Sequence, residues 1–175
     1  MSQQRNIWGF YPSRHEKADG DFGDVDVFRD QGLIGIGWPL TGNLQTFVAD
    51  NRPKADFALR VCEAYQHESD KWCRDAASVL YKFLCEAQPG EIVVYACKRD
   101  EQVYIGRIRD TEEGCYKYDA ATDKRLHWEC RHFRAVHWLK KIPYATCLKQ
   151  ELAQIRTQNK FWRMKACPEK FREFE

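Results

Sequence analysis

Apolar and polar positions repeat with two different periods along this chain, and the dominant period changes near residue 90. In "NIWGFYPS" a short apolar run, Ile7 to Phe10, reads as a strand stopped by Pro12. In "DNRPKADFALRVCEAYQHE" the residues Phe57, Val61, Ala64 and Tyr65 fall on one helical face, and Pro53 suits the first turn. A second helix is predicted in "SDKWCRDAASVLYKFLCEAQPG", with a cap at Ser69 and a stop at Pro89 and Gly90. Its apolar face carries Trp72, Ala76, Val79, Leu80, Phe83 and Ala87. Beyond that point the pattern turns to strands. "EIVVYAC" is a continuous apolar run suited to a buried strand, and "QVYIGRIR" follows across the polar turn "KRDE" as its hairpin partner. "CYKYD" and "HFRAVHW" alternate, and "TCLKQELAQIRTQ" returns to helical spacing through Leu148, Leu152 and Ile155. A strand, two helices, a run of antiparallel strands and a last helix predict an α+β domain. At 175 residues, with no repeat and no long linker, a single domain is expected, with its core over about residues 7–156 and a C-terminal extension over 157–175.

One stretch breaks the pattern. "GLIGIGWPL", Gly32 to Leu40, sets three glycines among aliphatic residues and ends on Trp38 and Pro39. Glycine inside a strand or helix costs roughly 0.5 to 1 kcal/mol relative to alanine, so three beside a large aromatic call for close backbone approach.

Charge adds a direction to this picture. The net charge is only +2, but residues 1–90 carry −3 and residues 91–175 carry +5. Between Lys117 and Lys165 there are 12 basic residues against 4 acidic ones, so a polyanion would prefer the second half. Eight cysteines stand singly, with no CxxC, and the start "MSQQRN" lacks the layout of a secretion signal. Free thiols in a cytoplasmic protein are therefore expected. No apolar run approaches the roughly 20 residues of a membrane span, so no membrane partner is expected.

Several candidate chemistries weaken on spacing alone. The aspartates of "ADGDFGDVDVFRDQG" miss the glycine and glutamate positions of a calcium loop. His127, Cys130, His132 and His137 invite a zinc reading. On a single strand, however, they would point to both faces and span about 33 Å, so no metal is expected. "PEKFREFE" has the letters of a nuclease set without an apolar strand before it, and nothing in the sequence orders a Cys/His pair. No catalytic set and no cofactor is read.

"IGIGW", "PGEIVVYAC", "VYIGRI", the tyrosine pair "YKY" and "HFRAVHWLKKIP" follow one another in the order and spacing of the N-terminal domains of Mrr-like restriction endonucleases. The chain resembles those domains, and through them the EVE, YTH and PUA-like superfamily, from about Trp8 to Ile155. Two positions depart from the pattern: Gly90-Glu91 replaces the usual Gly-Asp, and the turn after "YIGRI" is lengthened to "RDTEEGC". The resemblance implies a compact curved antiparallel sheet, a PUA/EVE-like barrel, flanked by helices. It also implies a reader that takes a modified base of DNA, or less favourably RNA, into an aromatic pocket, with a separately encoded nuclease or helicase as effector. Trp8 and Trp38 would be the pocket walls, Gly35 and Gly37 the places of close backbone approach, and Ser13 and Tyr104 further pocket residues. Both tryptophans also suit a core. Arg107, Arg109, Lys117, Arg131 and Arg134, interleaved with Tyr104, Tyr116, Tyr118, Trp128 and Trp138, would meet phosphates. Gly106 would curve the sheet or admit a ligand. An ASCH-like ribonuclease and a protein-interaction module of a defence assembly are the alternatives.

Overall fold

Ile92–Cys97 (β3) is buried at every position because both of its faces are covered. Val93, Tyr95 and Cys97 enter one core, and Ile92, Val94 and Ala96 enter a second on the other face. The computed structural model describes residues 5–11, 29–97, 100–110, 116–119, 130–155, 160–164, 171 and 173.

Around β3 the other strands are Ile7–Phe10 (β1), Leu33–Ile36 (β2), Gln102–Arg109 (β4), Lys117–Tyr118 (β5), His132–Pro143 (β6) and Phe161–Arg163 (β7). They form one strongly curled sheet in the order β2-β6-β4-β3-β1-β7, and β5 pairs with β6. The expected hairpin of β3 and β4 is present, with Val94 opposite Ile105. All pairs are antiparallel except β1 with β3, which run parallel with Trp8 opposite Val93. A bulge between Ile105 and Gly106 sets Lys140 and Trp138 opposite these two neighbours. A Cβ on Gly106 would come within 2.4 Å of Val136 and 2.8 Å of Trp138, so this glycine serves curvature and packing.

The helices are Gln45–Ala49 (α1), Lys54–Ala64 (α2), Asp70–Tyr81 (α3) and Lys149–Ile155 (α4). Ser69 caps α3 as its sequence predicts, accepting a hydrogen bond from Trp72 N at 3.2 Å. α3 runs on into a π turn, Lys82–Glu86, closed by Ala87 N donating to Lys82 O. Phe57, Val61, Cys73, Ala77, Leu80 and Phe83 from these helices fill the first core against Ile34, Tyr104 and Val136 of the sheet. Ile155 and Leu152 cover the second.

Two expectations require correction. Described residues within the segment read as a C-terminal extension belong to the fold: β7 pairs with β1, Phe161 enters the first core, and Met164 and Phe171 enter the second. Leu148 is exposed because it precedes α4, where its N–H donates to the Glu151 carboxylate. No helix among the described residues is long and apolar enough to cross a membrane.

Candidate functional site

Trp38 has φ 66° and ψ 54°, a left-handed conformation that is strained for a bulky residue, and it stands directly before Pro39. The conformation opens a 3-10 turn, Pro39–Thr41. The turn draws together the Trp38 carbonyl, which accepts from Thr41 Oγ1 at 2.7 Å and from Thr41 N at 3.2 Å. The indole is half-buried against the first core, and Lys160 Nζ lies 4.7 Å from its centre.

Beneath the turn lies His132, fully buried and placed by the first position of β6. Its Nδ1 is 2.8 Å from the Tyr116 hydroxyl, and its Nε2 is 3.1 Å from Thr41 Oγ1 and 3.3 Å from the Trp38 carbonyl. One arrangement of protons satisfies every contact. Leu44 N donates to Tyr116, the Tyr116 hydroxyl donates to Nδ1, and Nε2–H is shared between Thr41 Oγ1 and the Trp38 carbonyl. The ring is then neutral. Burial agrees, holding the imidazole down at about 4 against the opposing pull of the Trp38 carbonyl. Burial also pushes the Tyr116 hydroxyl well above the ordinary tyrosine range. Tyr116 stacks on the ring at 5.8 Å and Tyr118 leans on it at 5.4 Å. His132 thus holds the Trp38 turn to the sheet. His137 is exposed while His132 is buried, His127 lies outside the described residues, and no metal-binding group of three converges among the described residues.

The expected two-walled pocket does not assemble. Trp8 is fully buried, stacked on Phe161 at 4.9 Å, and its Nε1 donates to Glu91 at 2.6 Å, so it offers no face to a base. Glu91 also accepts from Asn6 N, Asn6 Nδ2 and Gln88 N, and so ties β1 to the turn before β3. Tyr104 is buried as well, stacked on Tyr95, with its hydroxyl donating to Asp100 and accepting from Arg29. Gly35 lies on the edge strand β2 opposite Phe133, yet both it and Gly37 are buried, so neither opens backbone to solvent. Ser13 lies outside the described residues. Among the described members of the predicted pocket, Trp38 alone stays partly exposed.

Four of the five expected phosphate contacts share one face. On β4, Ile108 is buried while Arg107 is half-exposed and Arg109 exposed; on β6, Val136 is buried while Ala135 is half-exposed and His137 exposed. Arg107 pairs with His137 and Arg109 with Ala135, so these side chains occupy the same side of the sheet. Lys117 pairs with Phe133 and is exposed, and Arg131 continues the alternation of β6, with its N–H on Ile36 O at 3.2 Å. Exposed Lys140, opposite Ile105, extends the strip. Arg134 is the exception. It pairs with Ile34, points into the first core at 1% exposure, and its Nη1 donates to Phe83 O at 2.8 Å and Ala87 O at 2.5 Å. Its cation closes the carbonyl end of the π turn instead of meeting solvent.

Fold and site together define a curled α/β sheet domain with a strained aromatic turn at one edge and a basic strip on one face. Residues 21–165 match the model of DUF8426, described as a domain of unknown function, and the chain belongs to that family. No curated protein and no solved structure matches it.

Proposed function

We propose that this domain is a nucleic-acid reader that holds the phosphate backbone on its basic strip and stacks a base, modified and in DNA by preference, on Trp38. The observation that carries the reading is the gathering of Arg107, Arg109, Lys117 and Arg131, with His137 and Lys140, on one side of the sheet. Trp38 supplies the aromatic face, and Lys160 above it is a long side chain that an arriving base can displace toward a phosphate. The domain has the work of binding, and chemistry on the nucleic acid falls to a separately encoded nuclease or helicase in a cytoplasmic defence setting.

Binding to matched modified and unmodified oligonucleotides across a salt series tests this. Four phosphate contacts predict a log-log slope of about −3 to −4. Reversing Arg107 and Arg109 to glutamate should flatten the slope and weaken all sequences alike. Trp38→Ala should erase about 1 to 3 kcal/mol of preference for the modified base while the fold survives, because a half-buried ring leaves no closed cavity. A flat salt response in the wild type removes the phosphate strip, and discrimination retained in Trp38→Ala removes the base site.

A further inference from the structure

Helices α2 and α3 form a hairpin whose register is fixed by contacts along its length. Lys54 Nζ donates to Ser78 Oγ at 2.8 Å, the Phe57 and Tyr81 rings meet at 5.4 Å, and the Tyr65 and Trp72 rings meet at 5.2 Å. On that register Cys62, near the end of α2, falls opposite Cys73, near the start of α3. Both are free cysteines. Cys73 is buried in the first core, and Cys62 packs against it while staying half-exposed. The pair therefore combines an accessible thiol with a shielded one in contact with it, the layout of a redox-responsive dithiol.

We propose that Cys62 and Cys73 close a reversible disulfide when the protein meets hydrogen peroxide. The Cys62 sulfur attacks one peroxide oxygen and breaks the O–O bond, leaving a sulfenic acid at Cys62 and a hydroxide that takes up a proton as water. The Cys73 sulfur then gives up its proton and attacks the Cys62 sulfur, breaking the S–O bond and releasing a second water. Two thiols are oxidised to one disulfide, and one peroxide is reduced to two waters. A hydrogen bond with Cys62 and burial push the Cys73 thiol up to about 11, which keeps it protonated and unreactive until a sulfenic acid stands beside it.

The location gives the bond a target within the fold. On either side of Cys62, α2 and the residue capping it hold the Trp38 turn: Arg60 Nε donates to Thr41 O at 2.9 Å, and the Tyr65 hydroxyl accepts from Leu40 N at 3.3 Å. A covalent tie between α2 and α3 stiffens the support on which that turn rests. The proposal stands independently of nucleic-acid binding.

Reduced full-length protein treated with stoichiometric peroxide, then blocked, digested with trypsin without reductant and weighed, tests the proposal. The peptides Val61–Lys71 and Trp72–Arg74 should appear joined, 2 Da lighter than their reduced sum, and separate on adding dithiothreitol. Closing so short a loop should raise the Tm by roughly 5 to 10 °C, reversibly. Cys62→Ser should abolish both changes, and if that variant fails to fold the wild-type peptide map still decides. Sulfinic acid at Cys62 with Cys73 unlinked, cross-links of Cys73 to another cysteine, or no reaction of either residue would each overturn it.

Discussion

Arg134→Met separates a cation that builds the fold from the cations of the exposed strip. Arg134 is buried and donates two charge-assisted hydrogen bonds from one nitrogen to Phe83 O and Ala87 O. Such bonds are worth about 1.5 to 3 kcal/mol each, and a cation at a partly buried helix terminus adds up to about 2 kcal/mol. Methionine recovers part of this, because it is unbranched, fills similar space and removes the cost of burying a guanidinium. The net expected loss is about 3 to 5 kcal/mol, a large share of a domain's 5 to 15 kcal/mol. Arg109→Met, on the exposed strip, should change stability by about 0.5 kcal/mol or less. Urea unfolding of both variants, beside oligonucleotide binding at a temperature where both are folded, reads the two effects separately. Arg134→Met should shift the unfolding midpoint and keep its affinity, and Arg109→Met should do the reverse. A normal midpoint with lost affinity in Arg134→Met would refute the assignment of this residue to the core.

Two further predictions follow from buried polar groups. Glu91→Ala strands the Trp8 N–H in the core and the Gln88 and Asn6 donors near it, so a loss of about 3 kcal/mol is expected in chemical unfolding, with Glu91→Gln costing roughly half because one acceptor oxygen remains. Equal midpoints for Glu91→Ala and wild type would sink that account. His132 is held down at about 4 in the fold against about 6.5 unfolded, so the unfolded chain binds a proton that the folded one refuses. Its contribution is complete above pH 6.5 and declines as pH falls toward 4, by about 2 kcal/mol between pH 7 and pH 5. Unfolding free energies at the two pH values should show that loss in the wild type and not in His132→Asn; the same loss in both would exclude His132 as its source.

Periodicity made the architecture legible and failed where a residue's partner is remote in sequence. The two helices, the β3–β4 hairpin and β6 all stand where apolar spacing puts them, because local pattern and tertiary burial agree there. β7 was missed because three residues of strand, Phe161–Arg163, carry too short a pattern, and their pairing with Trp8–Phe10 spans most of the chain. The parallel pairing of β1 with β3 has no local signature either. At the site, interleaving with aromatics grouped Arg107, Arg109 and Arg134 together, whereas the fold leaves the first two on an open face and buries the third. Parity along β6 would have separated it, since Arg134 shares its side with buried His132 and Val136. Glu91 was visible only as a departure from Gly-Asp, and its role as acceptor for Trp8 became apparent once the first strand lay beside it.

The strained backbone at Trp38 bears on which tryptophan matters. A left-handed residue before proline costs about 1 to 3 kcal/mol, and glycine there would relieve it. The glycines of "GLIGIGWPL" fall elsewhere: Gly32 takes a positive φ of 61° at the entry to β2, whereas Gly35 and Gly37 lie buried within and just after the strand. The hydrogen bonds converging on the Trp38 carbonyl offset the strain, yet they come from backbone and from Thr41 and His132, and none involves the indole. The turn would therefore form as well around glycine. What the tryptophan adds is a ring held half in the open by a backbone that cannot easily move, with a lysine over one face. Trp8 has the opposite character, with its ring enclosed and its N–H committed to Glu91. Strain retained for the sake of a side chain supports the proposed stacking role of Trp38 over that of any other aromatic in the described part of the chain.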